Sequence, residues 1–265
     1  MTKTLSAAVA TRLEKVAVDN GFDVQVQSEG AWLTFASTQA PLRIWLTAPD
    51  DPLCVAAFSM THVAAGLEEF GDPIGAPLPH GAAAARAVAG FAELHRLLRR
   101  AFQLSRTLPD ALLHRFELQT TGLPRATEVE RLVVQRVGQE VFRQGLLEYW
   151  QGRCAVTGLA IPELLRASHI KPWAACETDA ERLDVFNGLL LSPNFDAAFD
   201  RGLITVSPQA KILVSPAVSV PDRCALGLAA EHSLTGLTRQ HQVYLAFHRV
   251  HIFQKIESER ASIAK

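Results

Sequence analysis

The chain has 265 residues, of which 48% are hydrophobic and 20% charged, and its formal net charge is −1. That balance supports packed cores and excludes a disordered chain. It also excludes a broadly basic nucleic-acid binder: residues 1–120 carry 10 basic and 12 acidic side chains and the rest 16 and 15, so contact with phosphate has to come from local clusters.

Residues 5–19 read as a helix, because Ala8, Val9, Leu13, Val16 and Ala17 recur at helical spacing and Asn20-Gly21 ends the run. Four β-prone runs follow, Phe22–Gln27, Ala31–Ala36, Leu42–Thr47 and Leu53–Met60, with a turn at Ser28-Glu29-Gly30. Phe70–Gly81 reads as a Pro/Gly-rich loop, and a long arginine-bearing helix is expected from Ala82 to Arg106. Residues 1–106 are thus expected to form a small α+β domain of a helix, a four-stranded sheet and a helix, with target binding or interaction as its role.

Residues 107–126 read as a linker and residues 127–265 as a second domain. Thr127 and Glu130 fit a capping box ahead of a helix toward Trp150. Leu164–Ile170 reads as a strand with Leu165, Ala167 and His169 on one face, ended by Lys171-Pro172. Asn187-Gly188 opens a return strand through Leu191. Ser192 then suits an N-cap, Pro193 the first helical position and Gly202 the stop of a short helix. In that helix Phe195 and Phe199 share one face, and Asp196 and Asp200 share its neighbour. A last helix is expected over Thr238–Phe253.

The four cysteines, Cys54, Cys154, Cys176 and Cys224, form no CxxC pair. This argues against a Cys-rich zinc site and gives no disulfide framework. Free thiols in a reducing cytoplasm are expected. The N-terminal residues lack the apolar core of a signal peptide, and no run of about twenty apolar residues is present to span a membrane.

The ββα unit collects parts suited to metal-assisted phosphodiester cleavage. Neutral imidazole takes a proton from water near pH 7, which assigns His169 as base. Carboxylates hold a divalent ion, which assigns Asp196 and Asp200. Asn187 is placed to brace the hairpin through its backbone. Lys171 and Arg201 are the candidate phosphate contacts, with a solvated surface charge the other reading of each. His241, His248 and His251 read as packing or phosphate-contact residues rather than metal ligands, Cys154 as core, and Trp32 and Trp45 as core first, with stacking on a base the second reading.

The segments "ASHIKPW", "NGLLLSP", "FDAAFDRGLIT" and "GRCAVTGL" make residues 125–255 resemble the HNH (His-Me finger, ββα-metal) endonucleases, above all their bacterial restriction-type subgroup. The resemblance implies an α+β fold with a ββα-metal domain flanked by helices and a metal-dependent DNA endonuclease of restriction or defence type. Mg²⁺ or Mn²⁺ is the implied ion and DNA the partner, with a homodimer possible and no membrane role. It implies His169 as general base, Asn187 as the central asparagine, Asp196 as the final metal position and Asp200 as a further ligand. Ser168 stands where many members carry Asp or His as first metal ligand. That departure motivates an alternative, a catalytically degenerate HNH fold that binds DNA or senses a signal.

Overall fold

The structure is a computed structural model that describes residues 5–75, 77–107, 109–124, 126–228 and 230–254. It divides into two compact units, residues 1–108 and 109–265, both of mixed helix and sheet. Among the described residues, no helix is long and apolar enough to cross a membrane.

The first unit opens with α1 (Ala7–Asp19), whose N-cap Ser6 accepts from the Val9 amide and whose buried stripe is Leu13, Val16 and Ala17. Then come β1 (Val24–Glu29), β2 (Trp32–Ala36), β3 (Ile44–Asp50), β4 (Leu53–Phe58), α2 (Thr61–Ala65), β5 (Asp72–Ile74), β6 (Ala84–Ala89) and α3 (Gly90–Thr107). The sheet has six antiparallel strands in the order β1-β2-β3-β4-β6-β5. Two strands were not expected. β5 lies in the segment read as loop. β6 occupies the start of the segment read as helix, because Ala84–Ala89 pairs with β4 on one side and β5 on the other. Those two ladders override the helical preference of an alanine-rich run. Gly90, at φ +86, makes the turn from β6 into α3, a conformation glycine adopts without strain.

The second unit begins with α4 (Pro109–Thr120) and α5 (Glu128–Tyr149). α4 corrects the expected linker: Pro109 stands at the first position of a helix, where its missing N–H costs nothing, rather than in a loop. Leu108 and Arg125 of that stretch lie outside the described residues, as do residues 255–265. The capping box of α5 is present, with the Glu130 amide bonded to the Thr127 hydroxyl and the Glu130 carboxylate to the Thr127 amide.

β7 (Arg166–His169), α6 (Asp179–Arg182), β8 (Gly188–Leu191), α7 (Pro193–Asp200), β9 (Ile204–Val206), β10 (Ile212–Val214), α8 (Val220–Ala225) and α9 (Arg239–His251) follow. β7 and β8 pair antiparallel, with Ser168 opposite Leu189 and His169 opposite Gly188. Gly188 is required by close approach: a Cβ there would meet Phe142 and Leu146 of α5 at 2.6–2.7 Å. The core of this unit lies among Phe142, Leu146, Leu189, Leu191, Phe195 and Phe199, all buried.

Candidate functional site

The site forms where β7 ends. Strand alternation sends consecutive residues to opposite faces, so Ser168 and His169 serve different neighbours. The Ser168 hydroxyl, buried, donates to Asp200 Oδ1 at 3.0 Å. The His169 ring stacks on Phe142 at 3.8 Å between centroids and takes the edge of Trp173 at 5.5 Å. At the strand end both residues line one cleft of about 320 Å³ with Asp200, Trp173 and His248. The carboxylate that shares the cleft with His169 is therefore Asp200; Asp196 sits one helical turn earlier and does not line it.

His169 Nε2 lies 2.8 Å from the Arg182 carbonyl. A carbonyl only accepts, so Nε2 carries the hydrogen and Nδ1 is left as the basic nitrogen. Burial pushes the ring pKa down to about 4, against a small upward pull from that carbonyl. The ring is neutral at physiological pH. Arg182 is itself held in place: its guanidinium reaches Asp179 at 2.9 Å, the Cys176 carbonyl at 2.6 Å and the Trp173 carbonyl at 3.4 Å. The base thus has a backbone orienter that sequence cannot display, because any residue type supplies a carbonyl.

Asn187 is fully buried. Its Oδ1 accepts from the Lys171 amide at 2.7 Å, and its Nδ2 donates to the carbonyls of Lys171 and Glu181 at 3.2 and 3.3 Å. With no exposed atom it meets no substrate; its chemistry is to tie the 171–181 loop to the start of β8. Lys171, expected near phosphate, is turned instead onto Glu181, with Nζ 2.6 Å from Oε1 and both side chains mostly covered. A close charge partner satisfies that ammonium. Arg201 is exposed just after α7, and its guanidinium makes no bond to another described residue.

On α7, Phe195 and Phe199 are buried as their spacing requires, and the aspartates flank them. Loss of water raises the Asp196 carboxyl above the usual carboxylate range, and the charge of Asp200 raises it further; the Ser168 hydroxyl and Arg166 only partly offset this. Asp200 is raised too, by loss of water on its cleft side, with Ser168 opposing. Two carboxylates that resist ionising beside each other are relieved by a cation. The donors present, two carboxylates and a hydroxyl, are all oxygen and suit a hard ion that keeps waters and takes a substrate phosphate as further ligand. Among the described residues, no group of three or more His, Cys, Asp or Glu side chains is arranged to hold a metal, so protein alone does not complete such a shell.

Of the two readings for His248, packing or phosphate contact, its burial fits packing, and it also braces the site. Its ring stacks on Phe199 at 3.9 Å, its Nε2 faces the Phe199 carbonyl at 3.1 Å, and its Nδ1 faces the Thr205 hydroxyl at 2.9 Å. α9 thereby holds the end of α7 that carries Asp200. The chain after α9 adds to the clamp: Gly202, at φ +67, would drive a Cβ within 2.1 Å of the Ile252 carbonyl oxygen.

Residues 154–207, which contain β7, β8 and α7, match the family model of the HNH endonucleases. No curated protein matches the chain. The family match points to nuclease or DNA-binding activity.

Proposed function

We propose that the second unit is a divalent-metal-dependent DNA endonuclease, of restriction or defence type. The observation that carries this reading is the pairing in one cleft of a tautomer-fixed, neutral His169 with Asp200. His169 Nδ1 takes a proton from the attacking water, and the Arg182 carbonyl keeps Nδ1 unprotonated and aimed. Asp196, Asp200 and Ser168 would hold the ion, which supplies charge neutralisation at the phosphate and the departing oxygen. Asn187 is a positioning residue, tying down the 171–181 loop that leads into Arg182, whose carbonyl orients the base. Arg201, exposed beside α7, is the group placed to steady the DNA backbone.

The experiment is plasmid nicking with Mg²⁺ or Mn²⁺ by wild type and His169→Ala, run on unmodified DNA and on DNA with modified bases. Metal-dependent nicking by wild type, lost in the variant, is the expected result. Equal nicking by both proteins would remove His169 from the chemistry.

A second reading is favoured by one observation, the serine in place of a third carboxylate or histidine at the site. It holds that the fold binds DNA without cutting it. Calorimetric titration with Mn²⁺ separates the two: heat of binding that Asp196→Ala abolishes speaks against the degenerate form.

A further inference from the structure

We infer that Trp173 is a substrate-contacting residue: with Pro172 and Ile252 it gives the His169 cleft an apolar wall that receives one nucleobase, swung out of the DNA stack beside the cut phosphate. The choice of a nucleobase rests on the DNA reading of the second unit. Among the described lining residues, those that reach solvent besides His169 and Asp200 are Ala167, Pro172, Trp173 and Ile252, all apolar. Ser168, Ile170 and His248, which complete the lining, are buried. A phosphodiester is anionic and gains nothing from such a wall, whereas a base and its sugar do.

Trp173 is fixed at that wall from several sides. It opens the short 3₁₀ turn Trp173–Ala175, just past the end of β7. Its carbonyl accepts from the Arg182 side chain at 3.4 Å and from the Cys176 amide at 3.2 Å. The tip of the indole enters a notch in α5: a Cβ on Gly138 would meet Trp173 Cη2 at 2.6 Å. The Arg182 guanidinium stands over the ring from 5.8 Å, and the His169 ring meets it at 87°. The side chain is nevertheless only half-buried, and it lines the cleft. A rigid aromatic pinned by its surroundings and left open to a cleft is a preorganised stacking surface.

Stacking dictates the state of the DNA. In a duplex both faces of a base are covered by its neighbours, so a base reaches Trp173 only by leaving the stack. That costs free energy when the base is paired, and least when it is mismatched or single-stranded. The cleft, at about 320 Å³, lies at the small end of small-molecule sites and suits one nucleoside rather than a stacked pair. The favoured DNA therefore carries an unpaired base next to the cut. Every base has a face to stack, so Trp173 selects for that unpaired state more than for sequence.

The test is fluorescence anisotropy of the full chain, in Ca²⁺, with three labelled short duplexes that differ at one central nucleotide: paired, mismatched or abasic. Wild type is expected to bind the mismatched duplex at least about fivefold tighter than either of the others. Trp173→Leu should bind the mismatched and abasic duplexes alike, while Trp173→Phe keeps a preference, with thermal unfolding checking the fold of each. A tryptophan that merely packs on His169 would, on removal, weaken all three duplexes equally. Equal wild-type affinity for mismatched and abasic DNA, a preference that survives Trp173→Leu, or no binding of any of the three overturns the site. Nicking of the same duplexes in Mn²⁺ separates the two ideas: a protein that nicks without the preference loses this site alone, and one that shows the preference but never nicks loses the cleavage reading alone.

Discussion

The imidazole of His169 points Nε2 at the Arg182 carbonyl from 2.8 Å while its face lies flat on Phe142. The first contact selects the tautomer and the second removes water. Burial lowers the pKa to about 4, so the ring is neutral above that pH and protonated below it. As a base it works only when neutral. The acid limb of kcat/KM is therefore expected near pH 4 instead of near the ordinary 6.5 of histidine. Initial nicking rates between pH 4 and 8 at saturating Mn²⁺ measure it. Phe142→Leu lets water onto one ring face and should move the limb upward. A limb that ignores this substitution belongs to the carboxylates and not to His169.

Asp196 and Asp200 predict a response of opposite sign. Both carboxyls are raised in the folded protein. A raised folded pKa gives stability below the ordinary carboxylate range that is lost as pH rises, so at neutral pH the ionised pair weakens the fold. Millimolar Mn²⁺ should then raise Tm at pH 7.5, growing with concentration as linkage requires. Asp200→Asn removes the charge facing Asp196, and should raise the metal-free Tm while cancelling most of the metal effect. A thermal shift equal in wild type and variant would place the ion elsewhere.

How legible this was depended on how local the signal is. The bounds of α5 and α7 are written in nearby residues: Thr127 with Glu130, Ser192-Pro193 before α7, where Ser192 holds the N-cap position without a side-chain bond, and Gly202 after it. The hairpin that carries His169 was readable for the same reason. Residues 84–89 were not, because their strand state comes from pairing with β4 and β5 across intervening segments of the chain. The proline at 109 looked like a break when it was a start. Lys171 looked free because its partner, Glu181, lies ten positions away across a loop folded by Asn187. The Arg182 carbonyl left no trace in side-chain chemistry at all.

Asn187 therefore tests how far catalysis depends on that loop. Asn187→Ala leaves the Lys171 amide and carbonyl without their present partner in a buried place. Each orphaned group costs about 1–3 kcal/mol, so a loss of about 2–6 kcal/mol is expected by urea unfolding. Activity should fall mainly in kcat, since the residue reaches no substrate. A variant that keeps wild-type kcat would show that the 171–181 loop need not be fixed for His169 to act.

His169 and His248 together set how the second unit tolerates acid. Burial takes each ring from 6.5 to about 4, and each packs flat on a phenylalanine. For a lowered folded pKa the neutral ring is the stabilising form. Its contribution is complete above pH 6.5 and is lost progressively as pH falls toward 4, because the unfolded chain takes up the proton first. For the fully buried His248 the loss is on the order of 3 kcal/mol. Unfolding midpoints should fall steeply across that window. His248→Gln keeps an amide able to donate to the Phe199 carbonyl but cannot titrate, so its midpoint should begin lower at pH 8 and decline less toward pH 4. An unchanged slope would mean that His248 is solvated more than its packing between α7 and β9 implies.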